Sequence, residues 1–177
     1  MTAFATLWGL GRVPAAPGTA GSLAALPLVW ALFTLGSALG PGLGLSAPGA
    51  GLALCLLGFA AASVFGWIAA ARYLEGTSET DPSEIVVDEL AGQMLALMPL
   101  PLGLALRGSG ADIAALWPGW VGAFATFRLF DIWKPWPISA LDRMPGVAGV
   151  MLDDLAAGLA AALAVTAAAA LAHGWLA

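Results

Sequence analysis

Long apolar stretches alternate with short polar segments along this chain, and the apolar stretches predict helices. Pro27 is expected to break the first stretch, and Pro99 and Pro101 to soften the third. About 20 apolar residues match the roughly 30 Å hydrocarbon core of a bilayer, and the second stretch fits this length best. The pattern predicts an all-α, polytopic helical membrane protein with about five apolar helices. Those five stretches are residues 22–39, 51–71, 90–106, 113–130 and 155–172.

Composition strengthens the membrane assignment. Hydrophobic residues make up 60% of the chain and charged residues 10%, against roughly 45–50% and about 25% in soluble domains. We expect residues 1–177 to form one domain. The chain lacks the basic face that nucleic acid requires, so no nucleic-acid partner is expected. Cys55 lies inside an apolar stretch and is expected only to pack. The pattern leaves the oligomeric state open.

The segment 72–89 concentrates negative charge, with six carboxylates between Glu75 and Glu89. Asp81 followed by Pro82 predicts a helix start, which would place Glu84 and Asp88 on one helix face, with Glu89 adjacent. These three acids adjoin the apolar stretch 90–106, where unpaired carboxylates are expensive. Their pattern therefore favours a metal site. Glu79, like Glu75, is expected to be solvated.

The segment 124–154 holds seven of the 17 charged side chains. Asp131 follows Arg128 by three positions, so the two share a helix face. Pro135 and Pro137 are expected to end that helix. Asp153 and Asp154 precede the last apolar stretch, where a helix N-terminus favours negative charge. The seven are Arg128, Asp131, Lys134, Asp142, Arg143, Asp153 and Asp154.

A third polar segment, residues 17–22, contains Thr19 and Ser22, each directly after a glycine. Small residues and hydroxyls before an apolar stretch predict a helix N-cap, and the free amides there can bind an anion.

Five spans would place the N-terminal segment and both charged segments on one side of the membrane. That side carries five of the six cations, and Arg107 is alone on the other. By the positive-inside rule, the charged loops then cluster on the cytoplasmic side. Three polar segments found separately meet on one face, which favours an active site there.

The residue types available indicate metal-assisted phosphoryl chemistry. Aspartate and glutamate oxygens suit Mg²⁺, whereas no Cys/His group exists for zinc. Arg128, Lys134 and Arg143 are suitable donors to phosphate oxygens. A metal would polarise the phosphate and activate a water. An ion-coupled membrane carrier using the carboxylate clusters is the alternative, because carboxylates in membranes also mark ion paths.

Five motifs resemble the phosphatidylglycerophosphatase A family: PGTAGSL at 17–23, DPSEIVVDELAG at 81–92, FRLFDIWKPWPI at 127–138, LDR at 141–143 and GVMLDDLAAG at 149–158. They cover the polar parts of nearly the whole chain in the family's order. The resemblance implies a Mg²⁺-dependent phosphatase of the bacterial inner membrane. It would convert phosphatidylglycerophosphate to phosphatidylglycerol and phosphate, with its active site facing the cytoplasm and membrane lipids as its surroundings.

The resemblance also implies roles for individual residues. Metal ligands are expected from two motifs and catalytic carboxylates from three. Thr19, Ser22 and the amides of 18–22 are expected near the lipid head group, and the three cations near its phosphates. The expected metal ligands are Glu84, Asp88, Glu89, Asp153 and Asp154; the catalytic set is Asp88, Glu89, Asp131 and Asp154; the substrate-binding set is Thr19, Ser22, Arg128, Lys134 and Arg143.

Overall fold

The computed structural model describes residues 2–79 and 82–172, and helices are the only regular secondary structure in these two ranges. Short 3₁₀ helices at Leu7–Arg12, Gly40–Leu43 and Ile113–Leu116 connect or extend the α-helices. The α-helices of the described residues are α1 Thr2–Ala5, α2 Pro17–Leu39, α3 Ala47–Leu74, α4 Val87–Leu97, α5 Pro99–Leu106, α6 Trp117–Trp133, α7 Ile138–Asp142 and α8 Val147–Ala172.

The expectation of five membrane-crossing helices is confirmed. Five helical segments are long and apolar enough to cross a bilayer, each with 20 to 28 residues. Their surfaces are rich in exposed leucine, valine and tryptophan, as expected for helices that face lipid. The segments are Pro17–Leu43, Ala47–Leu74, Val87–Leu106, Ile113–Trp133 and Val147–Ala172.

Several helix starts differ from the sequence-based expectation. α2 begins at Pro17, so Thr19 and Ser22 lie inside its first turns and do not precede the helix. α8 begins at Val147, which places Asp153 and Asp154 in its second and third turns. Each helix extends over residues whose polarity had suggested a loop.

The predicted helix start at Asp81 is wrong. α4 begins at Val87, so Glu84 lies in the preceding turn and shares no helix face with Asp88. Asp81 itself lies outside the described residues. Ser83 and Glu84 lie in a turn, and this segment is held by contacts with the N-terminal residues.

Prolines act differently in the different helices. Pro27 does not break α2, which continues to Leu39, because membrane helices tolerate a missing donor. Pro99 instead separates α4 from α5. The predicted end of α6 before Pro135 and Pro137 is confirmed, since α6 ends at Trp133 and Lys134 adopts a left-handed conformation with φ +46°.

α4 is the central helix of the bundle. In the span that contains it, 61% of the most apolar window is buried, against 17–28% in the other four. Its closest neighbour is α8, where a Cβ added to Gly158 would lie 2.2 Å from the carbonyl oxygen of Gly92. The two backbones therefore touch, and glycine is required at this contact.

The polar segments meet at one end of this bundle, as expected. The N–H of Val86 donates to the carbonyl of Ala5 at 3.0 Å, which attaches the N-terminal segment to the turn before α4. A Cβ on Gly11 would lie 2.0 Å from the Glu84 carbonyl oxygen, so these backbones are also in direct contact. The loop between α6 and α8 joins the same end through Lys134 and Asp153.

Candidate active site

Three carboxylates on the two central helices converge at this end. Asp88 and Glu89 lie in the first turn of α4, and Asp154 is the eighth residue of α8. One oxygen from each lies within 4.8 Å of the others. Asp88 and Asp154 are only 6% and 4% exposed. Contact between the α4 and α8 backbones near Gly92 brings the three acids together.

A glycine in the first turn of α2 makes room for Glu89. A Cβ on Gly18 would lie 2.1 Å from Oε1 of Glu89 and 3.3 Å from Nη1 of Arg128. Any larger residue would displace the carboxylate from the cluster. Gly18 therefore belongs to the site through the space that it leaves open.

Arg128 is held beneath the cluster by two partners. Its Nη1 lies 2.7 Å from Oδ2 of Asp131, one helical turn further along α6. The same nitrogen donates to the hydroxyl of Ser22 at 3.3 Å. The hydroxyl of Ser22 in turn donates to the carbonyl of Gly18. These bonds fix the Asp131 carboxylate, which faces the cavity described below.

Lys134 lies between two carboxylates. Its ammonium donates to Oδ2 of Asp153 at 2.7 Å and to Oδ1 of Asp142. Burial alone lowers the pKa of Lys134, but the two hydrogen bonds and charges outweigh burial and raise the pKa above its usual value. Lys134 is therefore a permanent cation that links α7 to the start of α8.

The carboxylates open into a cavity of about 490 Å³. Among the described residues that line it, six are carboxylates and two are cations, Lys134 and Arg143. Arg143 is exposed and forms no ion pair within residues 2–79 and 82–172. The six acids are Asp88, Glu89, Asp131, Asp142, Asp153 and Asp154.

Glu84 lies apart from this cluster. Its Oε2 accepts hydrogen bonds from the Tyr73 hydroxyl at 2.8 Å and from Nε of Arg12 at 3.2 Å. These bonds hold the pKa of Glu84 below its usual value. Glu84 is not among the residues that line the cavity.

The other sequence-predicted residues divide into two groups. The cavity brings together most of the expected metal and catalytic carboxylates with Lys134 and Arg143. Thr19, Ser22 and Arg128 are outside its lining; Ser22 is buried and Thr19 is half-buried. Ser22 and Arg128 reach the site through one another and through Asp131.

The sequence assigned no role to three polar residues that the structure places in or near the site. Asp142 accepts from Lys134, and Tyr73 donates to Glu84. Gln93 is buried inside α4 with an unpaired side-chain amide. A lone amide four residues after a glutamate, inside an apolar stretch, was the signal that could have identified Gln93.

The donor set fits a hard divalent cation. It consists of carboxylate oxygens, the ligands that Mg²⁺ prefers. Oxygens around an ideally octahedral Mg²⁺ are separated by about 3–4 Å, so the 4.8 Å cluster needs only small side-chain rotations. Oε2 of Glu89 and Oδ1 of Asp153 are buried without a hydrogen-bond partner in the described residues. A buried carboxylate oxygen without a partner is costly unless a cation faces it.

Comparison with known proteins gives one family. The profile of the family described as phosphatidylglycerophosphatase A matches residues 3–169. The Escherichia coli phosphatidylglycerophosphatase A is 34% identical over 88% of this chain and 75% of its own length. The Haemophilus influenzae phosphatidylglycerophosphatase A is 29% identical over 89% of this chain and 82% of its own length.

A Bacteroides thetaiotaomicron protein, provisionally named phosphatidylinositol-3-phosphatase, is 34% identical over 87% of this chain and 84% of its own length. No solved structure matches the chain significantly.

Proposed function

The chain belongs to the phosphatidylglycerophosphatase A family, and on this basis we propose that it hydrolyses phosphatidylglycerophosphate with Mg²⁺ at Asp88, Glu89 and Asp154. It is a lipid phosphatase of the membrane, and this membership argues against the ion-coupled carrier. The observation that carries the proposal is the cluster of three carboxylates within 4.8 Å, opening into a cavity with two cations.

Charge explains why a metal is required. The substrate's terminal phosphate is anionic, whereas six carboxylates and two cations line the cavity. Unscreened repulsion at short range would oppose its entry. When bound, Mg²⁺ supplies Lewis-acid polarisation of the phosphate and lowers the pKa of water. Asp88, Glu89 and Asp154 would hold it, and Asp153, which lines the same cavity, would offer its unpaired Oδ1.

The cavity's two cations have different environments and therefore different proposed roles. Arg143 is exposed in the cavity and can meet the incoming phosphate with its planar fork of donors. Lys134 already donates to Asp142 and Asp153, so its main role is to position Asp153. Only its third N–H donor remains for a phosphate.

Asp131 is our proposed general base. It lines the cavity, and Arg128 fixes its carboxylate at 2.7 Å. It would accept a proton as water attacks the terminal phosphorus. The bond between phosphorus and the glycerol oxygen then breaks, and the proton passes to that oxygen, giving phosphatidylglycerol and inorganic phosphate.

The site's depth suits a lipid head group. Asp154 lies about 10 Å along α8 from its first residue, at 1.5 Å per residue. Trp133 and Trp136, on either side of Lys134 in sequence, are 69% and 81% exposed, and tryptophans of this kind favour the membrane interface. The substrate's phosphates can reach the cavity while its acyl chains stay in the bilayer.

The direct test is phosphate release from phosphatidylglycerophosphate by detergent-purified protein, with Mg²⁺ and with EDTA. We expect release with Mg²⁺ and none with EDTA. Asp88→Asn and Asp154→Asn should each lower turnover by more than about 100-fold, as expected for lost transition-state stabilisation. Asp112→Asn is the matched control, because Asp112 lies outside the active-site cavity and caps a 3₁₀ helix through a bond that Asn can replace.

Two results would contradict the proposal. One is folded wild-type protein that releases no phosphate in a suitable lipid. The other is near-normal turnover in both Asp88→Asn and Asp154→Asn. Phosphatidylinositol 3-phosphate should be assayed in parallel, because the Bacteroides relative carries a name for that substrate. A higher kcat/KM with phosphatidylinositol 3-phosphate than with phosphatidylglycerophosphate would change the proposed substrate and would not contradict the proposed metal site.

A further inference from the structure

Gln93 is a polar residue in the interior of the bundle. It is fully buried in α4, and neither Nε2 nor Oε1 has a hydrogen-bond partner among the described residues. Met94 and Leu97, further along the same helix, are also fully buried and apolar. An unpaired amide is costly in such surroundings, so a partner is expected on the side of Gln93 that faces the carboxylates.

That side holds a second unpaired atom. Glu89 is four residues before Gln93 in α4, so the two side chains lie on one helix face with Cβ atoms about 5–6 Å apart. Oε2 of Glu89 is buried and has no hydrogen-bond partner in the described part of the chain. Oε1 of Glu89 points to Gly18. One acceptor and one amide are thus left unpaired one turn apart.

We propose that Gln93 is a positioning residue that acts through a buried water molecule shared with Oε2 of Glu89. This inference rests on the proposed function, because Glu89 is one of the proposed Mg²⁺ ligands. A water can bridge groups too far apart for a direct bond, and buried waters make about three hydrogen bonds to otherwise unpaired polar groups. The amide can both donate to and accept from this water.

The consequence concerns the cation and not the lipid. Gln93 does not line the cavity, so it contacts no substrate. Oε2 has two lone pairs, so it can accept from this water and still face the cation. Through the water, Gln93 restricts the rotation of the Glu89 carboxylate. Partners that orient metal ligands typically change metal affinity by about 10–100-fold when removed.

The experiment measures Mn²⁺ binding to the whole purified protein by electron paramagnetic resonance, without lipid substrate. Gln93→Met fills the same volume without polar atoms, and we expect it to weaken Mn²⁺ binding by about tenfold. Gln93→Asn retains an amide one methylene further back and should recover part of the affinity. Melting temperature is measured for each variant, so that affinity is compared only between folded proteins.

Ser63→Ala is the matched control. The Ser63 hydroxyl in α3 is also buried and unpaired within the described residues, but Ser63 lies outside the cavity lining. Its removal should leave Mn²⁺ affinity unchanged.

The same Mn²⁺ affinity in wild type and Gln93→Met would overturn the role of Gln93 while leaving the metal site standing. An equal loss of Mn²⁺ affinity in Gln93→Met and Ser63→Ala would also overturn the role of Gln93, because the loss would then reflect general packing. Absence of Mn²⁺ binding and of phosphate release in the wild type would instead overturn the proposed function, and this inference with it.

Discussion

Carboxylates four residues apart in this chain have different electrostatic environments. Glu84 forms an ion pair with Arg12 and accepts a hydrogen bond from Tyr73, whereas Asp88 is buried beside Glu89 and Asp154. The difference arises from the start of α4 at Val87, which leaves Glu84 in a turn. The same acidic residues at the same spacing would also fit one continuous helix, so the sequence could not distinguish the surroundings of Glu84 from those of Asp88.

We predict that Glu84→Gln leaves the phosphatase active. Turnover should stay within about twofold of wild type, because a side chain outside the cavity makes no direct contact in the transition state. The measurement is phosphate release across a Mg²⁺ titration. A large rise in the Mg²⁺ concentration needed for half-maximal activity would restore Glu84 to the metal ligands.

We also predict that the difference in stability between wild type and Glu84→Gln depends on pH. The pKa of Glu84 is lowered in the folded protein from its usual 4.5. The stabilisation is therefore fully present above about pH 4.5 and is lost as the pH falls through the lower folded value. Melting temperatures should show wild type slightly above Glu84→Gln at pH 7, and the gap should close in acid. A gap that widened below pH 4.5 would contradict this sign.

At the level of helices, the crossing of α4 and α8 determines the site. Gly92 and Gly158 allow backbone contact, and the carbonyl of Asp154 lies at the same crossing. Close contact through glycines is a common way to pack membrane helices. The cluster of three carboxylates therefore depends on two glycines, which carry no functional group.

Gly158→Ala should separate these helices. An added Cβ would lie 2.2 Å from the Gly92 carbonyl oxygen, and backbone cannot move aside cheaply. Overpacking of this kind typically costs about 1–3 kcal/mol. We expect a lower melting temperature and a weaker response to Mg²⁺, because Asp154 moves away from Asp88. Gly122→Ala is the control, since nothing lies within 4 Å of its added Cβ; equal effects in both variants would contradict the crossing argument.

The helices were predictable where hydrophobicity alone decides them. The five spans followed from apolar length, and the end of α6 followed from Pro135 and Pro137. Helix starts were less predictable, because Thr19, Asp153 and Asp154 are polar residues that lie inside helices. The polarity of Asp153 and Asp154 reflects the cavity that they line, and that information is absent from the local sequence pattern. The convergence of Asp88, Glu89 and Asp154 was expected, whereas the partners of Glu84 depend on tertiary contacts.

Considered as a whole molecule, the protein is polar at one end and apolar along its sides. The site end carries Arg12, Arg72, Lys134 and Arg143, and the opposite loop carries Arg107. By the positive-inside rule, we propose from this distribution of cations that the site end faces the cytoplasm. Exposed Trp133 and Trp136 at the site end are consistent with an interface between membrane and water. Lipids of the inner leaflet would then present their head groups directly to the cavity.

This orientation can be measured with single cysteines. In a Cys55→Ala background, Ser78→Cys reports the site end and Ala111→Cys the opposite end; both positions are exposed. Cys55 is buried and packs within α3, so its replacement should be mild. In intact bacterial cells without an outer membrane, an impermeant maleimide should label Ala111→Cys at once, and Ser78→Cys only after lysis. The reverse order would place the cavity outside the cell. That result would contradict the orientation expected from the positive-inside rule, and lipids of the inner leaflet could not reach the cavity.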